Sequence, residues 1–189
     1  MPKDDVIPKL VGVFRQYGYE GATLSRLSEA TGLGRASLYH HFPQGKEGMA
    51  TAVLDYLNQG LNDHILAPLQ SDLPPEVRVQ EMAERIDQFY LQGNQACLLA
   101  LLSTGEAQDL FAKQVQTTLR QWIEGLAAVA IEAGFAPEIA RDRAEEVVLQ
   151  IQGALVLTRG LNDPSIFQRV LKRLPELLLD HTASLKRSS

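Results

Sequence analysis

A turn of three residues, Gly32-Leu33-Gly34, separates two short stretches whose apolar residues recur at helical spacing. Leu24 and Leu27 precede it, and Leu38 and Phe42 follow one turn apart. Glycine adopts the left-handed backbone that closes a helix at little cost, so Gly32 predicts the end of one helix and position 35 the start of the next. Thr23 predicts the N-cap of the first, because its hydroxyl can accept from an early N–H that has no helical partner. Leu33 is expected to plug the turn, with the second helix running over about 35–42. Upstream, Val6, Leu10, Val11 and Phe14 predict a helix over roughly 4–17, with Pro8 in its first turns and Gly18 as its stop. Three short helices are thereby tied around one small core.

Pro43-Gln44-Gly45 breaks the pattern, and residues 46–69 then read as a long helix with Met49, Val53, Tyr56, Leu57, Leu61 and Ile65 turned towards protein. After Pro74-Pro75 the chain continues with helices expected at about 76–92, 95–103, 107–133, 137–160 and 164–181. Gly134, Pro137 and the Asn162-Asp163-Pro164 turn separate the last three. Alternating β-branched runs are missing. The fold class expected is therefore all-α, with a head over 1–48 and a helical bundle over 49–189. The polar tail, Ser-Leu-Lys-Arg-Ser-Ser, is the one segment of low complexity.

Among 189 residues, 45% are hydrophobic and 22% charged, which suits a globular protein with a sizeable core. Cys97 is the sole cysteine, so no intrachain disulfide forms and Cys-rich zinc sites are excluded. Absence of a signal-like N-terminus and of any long apolar run predicts a cytoplasmic protein with no membrane partner. The net charge of -5 is uneven: the first fifty residues hold six Lys/Arg against five Asp/Glu, the rest twelve against eighteen. A polyanion can approach the head although the whole is acidic, since binding needs only a local footprint.

A helix, a glycine turn and a second short helix form the helix-turn-helix arrangement, which presents its second helix to a DNA major groove. With Leu38 and Phe42 facing inward, Arg35, Ala36, Ser37, Tyr39 and His40 are open to DNA. Arg35 can donate twice to guanine, Ser37 can bond a base edge or phosphate, and Ala36 permits close approach to a thymine methyl. Tyr39 and His40 suit the phosphate backbone, Thr23 with the first N–H groups of its helix can hold another phosphate oxygen, and Lys46 could clamp one further along. Read from periodicity alone, the same polar residues also fit a plain solvated face.

The stretch from Gly18 to Met49 resembles the DNA-binding part of the TetR family of transcriptional regulators. Its matching residues are Gly18-Tyr19, Thr23, Thr31-Gly32-Leu33-Gly34, Leu38-Tyr39-His40-His41-Phe42 and Lys46-Glu47. Two departures stand out. Gly34 occupies a position that often holds a Ser or Thr cap, and the Phe-Pro-x-Gly-Lys-Glu link after the reading helix is one residue longer than the commonest form. The resemblance implies phosphate contacts by Tyr39 and Lys46, base-edge positions for Arg35, Ala36, Ser37 and His40, and repression of a gene through operator DNA. It also implies a homodimer, a small organic inducer, and a coupling in which helix four transmits inducer binding to the spacing of two heads.

Specific operators usually need two reading helices on neighbouring half-sites. The means are two apolar stripes: Val147, Val148, Ile151 and Leu155 on one C-terminal helix, and Ile166, Val170, Leu174, Leu177 and Leu178 on the next. The resemblance pairs these helices with their symmetry mates, while pattern alone also allows them to face their own core. Between 76 and 134, Phe89, Tyr90, Leu102, Phe111 and Trp122 offer cavity walls, with Cys97, Gln114 and the more distant Gln150 as polar handles. The apolar ones serve equally as core.

Other chemistry finds little support. His40 and His41 are adjacent on one helix and diverge, which makes a poor metal clip, and His64 and His181 lack ligand-spaced neighbours. The Glu145-Glu146 and Glu81-Glu84 pairs read as solvated faces, and neither a phosphate loop nor a nucleophile elbow is present. Cys97, set in an apolar run, reads as an inert buried thiol. No cofactor, metal or enzymatic activity is expected. The rival readings are a helical bundle that binds protein and never DNA, and a small helical enzyme.

Overall fold

The computed structural model describes residues 3–181, and the polar tail lies outside them. Among the described residues every regular element is helical, so the all-α expectation holds. The α-helices are α1 (Lys3–Gly21), α2 (Leu24–Thr31), α3 (Arg35–His41), α4 (Gly45–Gly60), α5 (Pro75–Phe89), α6 (Leu98–Leu101), α7 (Gly105–Glu132), α8 (Pro137–Leu161) and α9 (Pro164–Leu179). Gly18 does interrupt α1, with φ 65° and ψ -175°, before one last turn.

The long helix expected over 46–69 is broken. Helix α4 ends at Gly60, and the chain widens into a π-helical turn, Leu61–Leu66, then tightens into a 3-10 turn, Ala67–Gln70. Pro68 explains the change of pitch: it has no N–H, and its ring clashes with the carbonyl four residues back. That carbonyl, on His64, instead accepts from Arg85 Nη1 at 3.1 Å. A second difference follows α5, which stops at Phe89. Leu91, Gln92 and Gly93 all take positive φ, and a Cβ at Gly93 would lie 3.0 Å from Phe167 and Thr158, so only glycine fits there.

The chain forms two compact units. One comprises residues up to Gly60 together with Ala96–Thr118; the other comprises Leu61–Gln95 and the chain from Leu119 onward. In the first, Leu10, Phe14, Leu27, Leu38, Phe42, Met49 and Val53 are buried together from α1 to α4. Tyr19 stacks near Phe14 and meets the edge of Phe111 on α7 at 5.4 Å. Beside it the Glu20 carboxylate accepts from the Glu106 N–H at 2.8 Å, capping the start of α7. Gly105 has φ +62°, and a Cβ there would collide with that carboxylate.

In the second unit α9 packs against α8 and α5. Trp122, Ile86, Val147, Ile151, Phe167, Leu174 and Leu178 are buried there. Arg78 is buried too, but its charge is met: Nη1 donates to the Leu69 carbonyl at 3.0 Å and Nη2 pairs with Glu132. Asn162 closes α8 in the left-handed conformation, and the Asp163 carboxylate caps α9 by accepting from Ser165 N–H at 2.9 Å.

Candidate nucleic-acid interface

The helix expected to read DNA is α3, and the turn before it is fixed by α2. Thr31 is buried at the end of α2; its hydroxyl donates to the Leu27 carbonyl at 2.7 Å and accepts from Leu33 N–H at 3.3 Å. Ser28 Oγ donates to the Leu33 carbonyl. Gly32, at φ 72°, returns its N–H to Ser28 and Glu29 carbonyls. The turn is thus held from α2 by two hydroxyls, while Leu33 itself is only half-buried. Gly34 is the N-cap of α3 and has no side chain to satisfy the first N–H groups. Thr23 caps α2 as expected, accepting from Arg26 N–H at 3.4 Å.

Leu38 and Phe42 are buried, at 0% and 1% exposure, while Arg35, Ala36, Ser37, Tyr39 and His40 are all exposed. The positions 35, 36, 37 and 40 therefore stand clear of the protein on one short helix. Arg35 Nη2 donates to Ser25 Oγ at 3.2 Å, which links the first turns of α2 and α3 across the open front. Tyr39 lies across Gly45, whose φ is 63°; a Cβ there would approach the ring to 3.1 Å.

Lys46 departs from its expected place. It is half-buried, with Nζ donating to the Tyr19 carbonyl at 3.2 Å and sitting 4.1 Å from the Tyr19 ring centroid. The ammonium is engaged on the inner side of the head, where an aromatic face and a carbonyl replace its water. A phosphate clamp at this position would require both contacts to break.

The residues expected around a cavity are distributed. Cys97, Leu102, Phe111 and Gln114 belong to the first unit, and Phe89, Tyr90, Trp122 and Gln150 to the second. Tyr90, Cys97, Leu102, Phe111 and Trp122 are buried, and Phe89 and Gln114 are half-buried. Tyr90 packs edge-on to Phe89 at 5.0 Å and to Phe167 at 6.3 Å. Gln150 is a correction: it is exposed on α8 and donates to Glu146 Oε1 at 2.7 Å, because the four-residue spacing places both on one outer face.

Of the residues expected to meet a second copy, Val147, Val148, Ile151, Leu155, Leu174 and Leu178 are buried within the single chain and offer a partner almost no surface. Ile166, Val170 and Leu177 are half-buried. The apolar surface on α8 lies on its opposite side, where Leu149, Val156 and Leu161 are each 66% exposed and Leu157 is exposed beside them. Gly153 and Gly160 lie in the same helix, and a Cβ at either would meet nothing. The spacing 149, 153, 156, 160 is as regular as that of the buried stripe; the sequence therefore held two apolar stripes on one helix, and periodicity does not say which is covered internally. Ser25 and Glu20 went unnoticed for a different reason: each works through a partner distant in sequence, Arg35 and Glu106.

Residues 11–53 match the family model described as bacterial regulatory proteins, tetR family, and residues 76–173 match that of the transcriptional regulator LmrA/YxaF-like C-terminal domain. The HTH-type transcriptional regulator CymR of Pseudomonas putida is 24% identical over 96% of this chain and 91% of its own length. The HTH-type transcriptional repressor DhaR of Mycobacterium sp. is 24% identical over 99% of this chain and 97% of its own. A TetR transcriptional regulator from Legionella pneumophila shares the fold with a TM-score of 0.81 at 20% identity, covering 94% of this chain and 97% of that one.

Proposed function

This chain belongs to the tetR family of bacterial regulatory proteins, and from that premise we propose that it represses transcription as a homodimer on a palindromic operator and is released by a small organic inducer. As a member of that family it is a regulator of transcription and not an enzyme. The observation that carries the DNA-binding part is the division of α3 into a buried side, Leu38 and Phe42, and an open side at 35, 36, 37 and 40. Arg35, Ala36, Ser37 and His40 read base edges; Tyr39, Thr23 and the N–H groups opening α2 hold phosphates and set register. Lys46 supports the head from within. The work takes place on chromosomal DNA in the cytoplasm.

One reading helix covers few base pairs, so two copies are required for useful specificity. The exposed stripe of α8, Leu149, Gly153, Val156, Leu157, Gly160 and Leu161, supports a second copy as its occupant: long apolar side chains give area, and the glycines allow close helix approach. The half-buried Ile166, Val170 and Leu177 of α9 complete the face. Repression is favoured by the relative named a repressor. An organic inducer is favoured by the second unit, where the buried Trp122 Nε1 has no hydrogen-bond partner and is a donor that a ligand could satisfy. Release then requires the inducer to prefer a conformation whose heads are misplaced for their grooves.

Selection from a random duplex pool at low salt with the full chain tests the reading. A palindromic site with half-sites about one helical turn apart is expected. Recovery of no preferred sequence would defeat it.

A further inference from the structure

Base readout by Arg35 depends on how its long side chain is aimed, and the structure gives that side chain one polar partner. Its Nη2 donates to Ser25 Oγ at 3.2 Å. The two residues are ten apart in sequence, yet the glycine turn brings the first turn of α2 beside the first turn of α3, and both side chains remain exposed. A cleft of about 470 Å³ opens at this place, lined in part by Ser25, Glu29, Gly32, Gly34 and Arg35. Among the described residues no carboxylate pairs with Arg35. The guanidinium is therefore steered without being neutralised.

We propose that Ser25 is a positioning residue for sequence recognition: its hydroxyl fixes the plane of the Arg35 guanidinium so that the remaining donors present a fork to one base pair. This rests on the DNA-binding reading above. The chemistry suits serine. A hydroxyl oxygen accepts one N–H and carries no charge, so Ser25 can hold the Arg35 guanidinium and leave its positive charge to the DNA. Four of the five guanidinium N–H groups stay free, enough for the two parallel bonds that select guanine. The bond is weak while water surrounds it and strengthens once DNA excludes that water, which places its effect in the specific complex.

The test uses the full chain and the site that the wild type selects from a random duplex pool. Affinities for that site, for its single base-pair variants and for random duplex are measured for wild type, Ser25→Ala, Ser25→Thr, Arg35→Ala and the double variant. Ser25→Ala is expected to lose several-fold in preference at the base pair that Arg35→Ala also relaxes, part of the roughly 5- to 150-fold that a bidentate contact is worth. It should bind random duplex as the wild type does, and Ser25→Thr should recover the preference. In the Arg35→Ala background, Ser25→Ala should cost nothing more. Unchanged base preference in Ser25→Ala overturns the inference, and so does an equal loss with and without Arg35, since the serine then acts on DNA alone. A wild type that selects no site overturns the DNA-binding reading itself, and this inference with it.

Discussion

A lysine ammonium seated on a ring and bonded to a carbonyl is costly to lend elsewhere. For Lys46, reaching a phosphate means giving up the Tyr19 face and the Tyr19 carbonyl together. Lys46→Ala should therefore lower the stability of the protein by about 1 kcal/mol, the scale of one such contact, while leaving the salt dependence of DNA binding as it is. Melting curves and a titration at two salt concentrations separate these effects. Glu20, next in the chain, carries a pH signature. Its own backbone N–H does most to hold its carboxyl below the usual glutamate value; burial opposes this, and the N–H groups of Glu106 and Ala107 and the charge of Lys46 tip the balance downward. The folded value is the lower one, so the stabilisation is present above about pH 4.3, the ordinary glutamate value, and disappears as pH falls through the folded value. Glu20→Gln should be less stable than wild type at neutral pH, and the gap should close on acidification, as urea unfolding at several pH values would show. The cation at 46 was legible from sequence, but its direction was not: a lysine opening a helix after a reading helix looks alike whether it turns outward to DNA or inward to an aromatic ring nearly thirty residues away.

At the scale of the element, the turn between α2 and α3 has two glycines with different duties. Gly32 takes φ 72° with open space around it, so its replacement meets no clash and only the backbone penalty remains. Gly32→Ala should destabilise by roughly 1–2 kcal/mol, read from urea unfolding. Gly34 has φ -66° and ψ 158°, a conformation any residue accepts, and caps α3 with nothing. Gly34→Ser should stabilise by a few tenths of a kcal/mol in the same assay, by supplying the missing acceptor. Both duties could be read in advance because each is local. The break after Gly60 could not, since an apolar stripe runs through Leu61 and Ile65 regardless of pitch. The interruption depends on Pro68 and on Arg85 accepting the task of satisfying the His64 carbonyl from another helix. A periodicity argument counts side chains; it does not follow an orphaned carbonyl.

For the molecule as a whole, the proposed pairing of two copies turns on helix α8. One side is consumed by Val147, Ile151 and Leu155 within the chain, and the other exposes Leu149, Val156 and Leu161. Val156→Arg should therefore yield a monomer by sedimentation, with folding intact because the side chain is 66% exposed, and with operator affinity reduced as the paired half-sites are lost. The helical class and the helix-turn-helix were legible because they rest on spacing within a few turns; which of two equivalent stripes is covered depends on neighbours that spacing does not name. The reading unit also gathers distant chain, since Tyr19 and Glu20 find Phe111 and Glu106 inside it. Anyone grafting this reader onto a foreign sensor with a single crossover after α4 would cut away the start of α7 that Glu20 caps and the ring that braces Tyr19. A viable hybrid needs at least two junctions, so that Ala96–Thr118 travels with the graft.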